Sequence, residues 1–338
     1  MTKAEDGYGY IMSLFTAVSA LPFTDEQLMF PHELARWASR LNKPGAYREL
    51  KDSLVGDARE LRIVAMTPDG IVAVVPTRGK NPYQAWDMGQ FVEGMERVFF
   101  AGVDAHCVAR FVAITSEEEI ALLWPVESVA HVDLRWLSLR SEAAQLAPAD
   151  CCSAARALAL LRWQERTQYC PRCAGKLVSE NGGESQRCAN CDHVEYPRQD
   201  PAVIVLITDE AERVLLAHNR SWKPRFMSLI AGFVEAGESP ERAVVREVKE
   251  EADLDVEDVH YWAAQPWPFP CSLMMGFTAR VKGSPTPHPD LDEVDRMRWV
   301  TREELMAYVE AGELEIPTHT AIARHMIDHW LDRQERTW

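Results

Sequence analysis

The sequence predicts an α+β protein in three parts: a mixed-sheet N-terminal region, a small cysteine-bearing ribbon, and a C-terminal region of strands and helices. Three observations predict it. Short runs rich in β-branched and aromatic residues, at 70–76, 109–115, 202–207 and 214–217, read as strands. The Ala/Leu-rich run at 154–163 reads as a helix. Ser239 followed by Pro240 starts another, with serine as N-cap and proline in the first helical position.

The 338 residues are 47% hydrophobic and 26% charged, which suits two or three domains with real cores and excludes a disordered chain. Lys and Arg number 36 against 52 Asp and Glu, a net charge of -16. Such acidity argues against broad binding to a nucleic-acid backbone and suits a site that gathers carboxylates around a cation. No stretch reaches the roughly 18 apolar residues of a membrane-spanning helix. The apolar run 11–23 is short, carries Ser and Thr, and follows Glu5 and Asp6. It reads as a core segment instead of a signal peptide, so a cytoplasmic protein with reduced thiols is expected.

Four of the eight cysteines form Cys170-x2-Cys173, fourteen residues, then Cys188-x2-Cys191. Two such pairs, each on one turn, complete a tetrahedron of thiolates around Zn²⁺; two disulfides are the competing reading. A site filled by four thiolates is closed to water, so its expected job is structural. The segment between the pairs, with Asn181, Gly182 and Gly183, suits a hairpin turn.

Residues 201–338 carry 25 Asp and Glu against 15 Lys and Arg, a net of -10, so most of the acidity lies in the last region. On a helix over 240–252, Val244 and Val248 share one face, while Glu247, Glu250 and Glu251 share another at i, i+3 and i+4. Like charges at that spacing destabilise a bare helix, and a divalent cation reverses the effect. Oxygen-only ligands favour Mg²⁺ or Mn²⁺ over zinc. A solvated acidic face explains the same pattern. Further along, Gln265-Pro266-Trp267-Pro268-Phe269-Pro270-Cys271-Ser272 alternates proline with aromatics. It is expected to be a stiff extended loop, either a wall for a flat heteroaromatic ring or a cover for the core.

The pattern Gly232-x5-Glu238-x7-Arg246-Glu247-Val248-x-Glu250-Glu251 resembles the Nudix box of hydrolases that cleave nucleoside diphosphates linked to another group. One departure is Asp253 where the family has glycine; Asp adopts the left-handed helix end at modest cost. The loop from Gln265, fourteen residues after Glu251, is similar to the motif of the NADH pyrophosphatase subfamily, with Ala264 in place of its first serine. That subfamily also has a four-cysteine ribbon before its Nudix domain and a Tyr-Pro pair after the last cysteine, here Tyr196-Pro197.

The resemblance covers about 154–338 and implies an α/β/α Nudix sandwich over 198–338, after a linker helix and ribbon at 154–197 and an N-terminal α+β domain at 1–153. It implies hydrolysis of the pyrophosphate of NADH or NAD⁺ to nicotinamide mononucleotide and AMP, and removal of NAD caps from RNA in some members. It further implies Glu247, Glu251, Glu293 and the Ala231 carbonyl as Mg²⁺ or Mn²⁺ ligands, with Glu250 as ligand or base. Substrate contacts carried over are Gln265 to Ser272, Tyr196, Phe233 and Ala323, with Arg140 a weaker match. Arg246 is expected to orient Glu247 through a bidentate pair. A residue at the Tyr196 position reaches a neighbouring subunit in that subfamily, which implies a homodimer. Two other readings are a Nudix hydrolase of a different nucleoside diphosphate derivative and a non-catalytic module whose ribbon binds a partner.

Overall fold

The structure, a computed structural model, describes residues 21–23, 28–54, 58–123 and 133–332. The described chain divides into two compact units. One contains the N-terminal region and the ribbon together with Trp267–Cys271; the other contains residues 200–266, 272–332 and Leu21. Of the apolar run 11–23, residues 11–20 lie outside the described residues, while Leu21 and Phe23 are buried in separate clusters.

In the first unit, strands β1 (Glu60–Met66), β2 (Ile71–Pro76), β3 (Tyr83–Ala85), β4 (Arg97–Val103), β5 (Val108–Ile114) and β6 (Arg135–Ser138) form one mixed sheet. Its order is β3-β2-β1-β5-β4, with β6 on β2; β1 and β5 run parallel. Alternation along the strands splits the core. Val64, Val72, Phe99 and Val112 face helix α1 (Pro148–Arg166), while Ile63, Ala73, Phe100 and Phe111 pack with Leu34, Leu41 and Leu50 on the other side. The sequence-predicted helix at 154–163 is the middle of α1.

The ribbon strands β7 (Leu177–Glu180), β8 (Ser185–Cys188) and β9 (Val194–Glu195) form a separate three-stranded sheet. Its own buried cluster is Cys170, Leu177 and Cys188. The tip is anchored elsewhere: a Cβ on Gly182 or Gly183 would collide with Phe100, the Ala35 carbonyl and the Phe99 ring, and both glycines have positive φ. Only glycine fits there, because the turn is left-handed and pressed against the sheet.

The second unit is a helix-sheet-helix sandwich. Strands β10 (Asp200–Thr208), β11 (Val214–Asn219), β12 (Ile230–Phe233), β13 (Val256–Trp267), β14 (Ser272–Val281) and β15 (Val294–Val300) order as β13-β14-β10-β11-β15, with β12 on β10. Helix α2 (Pro240–Ala252) covers one face through Val244, Val248 and Ala252 against Val203, Val205 and Phe277. Helices α3 (Arg302–Glu310) and α4 (Ile322–Asp332) cover the other, through Leu305, Met326 and Trp330 against Ile204, Leu206 and Leu216. The proline-aromatic segment differs from the extended loop the sequence predicts: Gln265, Pro266 and Trp267 finish β13, Ser272 opens β14, and only the residues between them turn. Proline is tolerated in β13 because that strand is an edge.

Candidate active site

Helix α2 begins as its sequence dictates, with the Ser239 hydroxyl accepting from the Arg242 N–H at 3.4 Å and Pro240 in the first turn. The three glutamates share a side of the helix but not a depth. Glu251 is only 8% exposed, the Glu247 side chain 12%, and the Glu250 side chain 59%. Burial pushes the Glu251 carboxyl up to about 8, and the charges of Glu247, Glu293, Asp290 and Glu250 push the same way. Burial also raises Glu247, against the pull of Arg246. A carboxylate cluster with this much unbalanced charge fits a hard divalent cation, since its oxygen donors match that chemistry. Glu247, Glu251 and Glu293 interact electrostatically as one cluster and could hold such an ion, and Ala231, the expected carbonyl donor, pairs with Ile204 on β10.

Arg246 organises the cluster. Its Nε and Nη2 grip the two oxygens of Glu238 at 3.0 and 2.9 Å, Nη1 reaches Glu247 at 2.8 Å and Glu250 at 2.9 Å, and Nη2 also donates to the Phe233 carbonyl at 2.8 Å. Sequence adjacency predicts a bidentate pair with Glu247. The fork closes on Glu238 instead, and Glu247 receives one arm, because Glu238 lies eight residues back on the loop before the helix, where both oxygens can meet the guanidinium edge. This grip holds Glu238 below the usual carboxylate range and raises Arg246.

Gly232 leaves room for that arrangement. A Cβ there would fall inside the Glu247 carboxylate. Gly232→Ala is therefore expected to displace Glu247 and lower kcat/KM by about 10²-fold. The obstructed group is the far end of a flexible side chain, so Tm is expected to move by only about 2 °C or less. Thermal melts beside the kinetics check this, and a large loss of Tm would contradict it.

Helix α2 ends at Asp253, whose φ of 53° and ψ of 31° are left-handed, as the sequence predicts for a residue standing where glycine is usual. The Asp253 carboxylate meets Lys249 Nζ at 2.7 Å, which holds it below its ordinary range. Beyond the cap, the 288–294 segment is tied to the helix end by His288 N–H to the Ala252 carbonyl (2.8 Å) and Asp290 N–H to the Glu251 carbonyl (3.1 Å). Asp290 Oδ1 then accepts the N–H groups of Asp292, Glu293 and Val294, which turns Glu293 toward the cluster. Asp290 was missed from sequence; an Asx turn ahead of Asp-Glu was its signal. Asp253→Gly is expected to keep activity within about twofold and Asp253→Val to lower Tm by about 3–6 °C, since a β-branched residue is strained at positive φ. Equal melting of the two variants would refute this account of the cap.

The remaining sequence-predicted residues are spread over both units. Within the second unit, Gln265 is fully buried. Its Nε2 donates to the Thr320 carbonyl and its Oε1 accepts from the Ile322 N–H, both at 2.8 Å, so it pins α4 to β13. Ala323 is buried in the core next to it, which leaves its main chain in the first turn of α4 as its polar offering. Phe233 is exposed, and Pro266 and Ser272 are half-buried at strand ends. Within the first unit, Trp267 and Phe269 meet edge-on at 5.0 Å and pack against the α1 side of that unit's sheet. The Arg140 guanidinium lies 5.8 Å from the Phe269 ring centroid. Pro268 is buried, Pro270 exposed, Cys271 accepts from Arg166 at 3.1 Å, and Tyr196 is exposed.

Cys170, Cys173, Cys188 and Cys191 come together, their sulfurs 3.4–3.7 Å apart in the pairs Cys170/Cys191, Cys173/Cys188 and Cys173/Cys191. Thiolates around zinc at about 2.3 Å in a tetrahedron lie about 3.8 Å from one another, so the four sulfurs fit that ion with little movement. All four sulfurs lie within 4.8 Å of one another, and among the described residues no other group of three or more His, Cys, Asp or Glu side chains is that tight. The glutamates of α2 are thus spread wider, consistent with sites that share a cation among protein, water and phosphate.

Residues 198–325 match the NUDIX domain, and residues 165–196 match the NADH pyrophosphatase zinc ribbon domain. The chain therefore carries a Nudix domain behind a zinc ribbon of that type. It is similar to the NAD-capped RNA hydrolase NudC of Mycobacterium bovis, at 41% identity over 184 residues, 52% of this chain and 58% of that protein. A protein of the same name from Pseudomonas aeruginosa is 38% identical over 173 residues, 51% of this chain and 58% of its own. Nudix hydrolase 19, chloroplastic, of Arabidopsis thaliana is 38% identical over 205 residues, 58% of this chain and 47% of its own. The chain spans 47–58% of the length of these relatives. Among the described residues, no helix is long and apolar enough to cross a membrane.

Proposed function

We propose that the chain hydrolyses the pyrophosphate bond of NADH or NAD⁺, giving the nicotinamide mononucleotide and AMP, and removes the same group from NAD-capped RNA. The observation that carries this is the carboxylate cluster of α2 and Glu293, with Glu251 buried under the charge of the others, in a domain preceded by a ribbon that matches that of the NADH pyrophosphatases. Glu247, Glu251, Glu293 and the Ala231 carbonyl would hold Mg²⁺ or Mn²⁺, and the bound ion would supply neutralisation of the phosphate oxygens and orientation of the attacking water. Arg246 keeps Glu247 and Glu250 aimed into the cluster. A glutamate takes the proton of the attacking water; Glu250, the most exposed of the three and held by one arm of Arg246 at 2.9 Å, is proposed for that role. Phe233, the Gln265 to Ser272 segment, Tyr196, the Ala323 main chain and Arg140 are proposed to contact the nucleotide. The work divides among an N-terminal domain at 1–153, a linker helix and ribbon at 154–197 and the hydrolase domain at 198–338. The protein is proposed to act in the cytoplasm as a homodimer, which light scattering on the purified chain tests.

The deciding assay incubates pure protein with NADH and Mg²⁺ or Mn²⁺ and separates the products. NMNH and AMP in equal amounts are expected. Absence of both, with a nucleoside diphosphate sugar cleaved instead, would assign the site to another derivative; no cleavage of any diphosphate would leave the ribbon's partner-binding reading.

A further inference from the structure

A loop beside the carboxylate cluster carries the opposite charge. Between β11 and β12, the sequence Asn219-Arg220-Ser221-Trp222-Lys223-Pro224-Arg225-Phe226 puts three cations and two aromatics into eight residues of a region whose net charge is -10. The loop is built rigidly. Ala217 and Ser228 exchange two main-chain hydrogen bonds of 2.8 and 2.9 Å at its neck. Asn219 Oδ1 accepts from the Ser221 N–H at 3.0 Å, and the buried His218 joins the Lys223 carbonyl at 3.1 Å to Asp295 at 2.6 Å.

Carbonyls fix its two arginines and tie a third, Arg296, to it. Arg220 donates to the Leu291 carbonyl, Arg225 to that of Gly312 at 2.9 Å, and Arg296, on the edge strand β15, to that of Pro224 at 2.6 Å. The carboxylate paired with Arg296, Asp295 at 3.5 Å, is shared with His218. Guanidinium groups held this way keep their charge and lose little freedom when an anion arrives. Trp222 is 38% exposed and braced edge-on by Phe226 at 5.1 Å, the arrangement of a stacking platform. The loop also touches the catalytic segment: the Arg220 N–H donates to the Glu293 carbonyl at 2.9 Å.

We propose that this loop receives the single-stranded RNA that follows an NAD cap, with Arg220, Lys223, Arg225 and Arg296 on its phosphates and Trp222 stacked on a base. The proposal rests on the reading of the site as an NAD(H) pyrophosphohydrolase that accepts capped RNA. A free dinucleotide needs no such strip. An RNA strand does, because it otherwise brings one negative charge per nucleotide against an acidic domain.

The test uses the full chain, the double variant Lys223→Glu/Arg225→Glu, Trp222→Ala and Trp222→Phe. Fluorescence anisotropy measures binding of a short unstructured RNA with and without its cap, and kinetics give the ratio of kcat/KM on capped RNA to that on NADH. The double variant is expected to lower RNA affinity and that ratio by about 10-fold or more, and to reduce the slope of log affinity against log salt by about 1.4. Trp222→Ala is expected to lose about 10-fold and Trp222→Phe to recover most of it. Unchanged RNA binding in the variants, an equal loss on both substrates, or equal binding of polyglutamate by the wild type would overturn the proposal. If the wild type cleaves NADH while the variants bind RNA as it does, the function stands and the loop assignment falls. If it cleaves neither substrate, the function fails and anisotropy with uncapped RNA still decides the loop.

Discussion

Glu251→Gln is expected to lower kcat on NADH by about 10³-fold while the metal-free protein melts at the same temperature or higher at neutral pH. The amide keeps the shape of a side chain that is 8% exposed and stays neutral without the proton that Glu251 must take up on folding, because burial and four acidic neighbours oppose its charge. The pH dependence follows from the same group. Its folded value of about 8 lies above the ordinary 4.5, so between these values the native state keeps a proton that the unfolded chain has released. Stability of the metal-free protein therefore falls as pH rises through that window, and Glu251→Gln flattens the fall. A cation must displace the proton, so Mn²⁺ affinity is expected to rise about tenfold per pH unit below 8 and then level off. Calorimetric Mn²⁺ titrations and melts over a pH series read both. A variant with near-wild-type kcat, or melting as pH-sensitive as the parent, would remove Glu251 from the centre of the site.

The reason Glu251 stands out was only half visible in sequence. Spacing assigned Glu247, Glu250 and Glu251 to one side of a helix whose bounds, 240–252, follow from the Ser239 cap, the proline and the left-handed Asp253. Helical periodicity gives direction, not depth, so the gradient from exposed Glu250 to buried Glu251 needed the sheet beneath and the 288–294 segment beside it. The Arg246 fork was misplaced for a related reason: adjacency in sequence favours Glu247, while the loop geometry before α2 presents Glu238. Gln265 shows the limit most clearly. Its amide spans 55 and 57 residues to Thr320 and Ile322, partners that no local pattern announces. The four cysteines were legible because tetrahedral coordination is encoded in two short spacings.

Cys188→Ser is expected to lower bound zinc from one ion per chain to none, unfold the ribbon and lower the Tm of the N-terminal unit by about 10 °C or more. The argument is one of size. The ribbon sheet has a buried cluster of just Cys170, Leu177 and Cys188, far too little apolar surface to offset the entropy of ordering β7, β8 and β9. Its attachments to the rest of the unit include the glycine tip against Phe99 and Phe100, the Arg156–Glu184 pair, and Gln164 to Ser179 at 3.1 Å, which all lie on the hairpin and not at the cysteine knuckles. Without the ion, the Cys170 and Cys188 turns have no reason to face each other, whereas the tip still docks. Hydrogen exchange should therefore show lost protection at Cys188 and Ala189, whose N–H groups bond to His193 and Lys176 carbonyls, before any loss in β4. Mn²⁺ binding by Glu247 and Glu251 is expected to persist, since every group assigned to hold that ion lies in the other compact unit. A variant that keeps stoichiometric zinc, or a ribbon equally protected after chelation, would show that the hairpin holds itself.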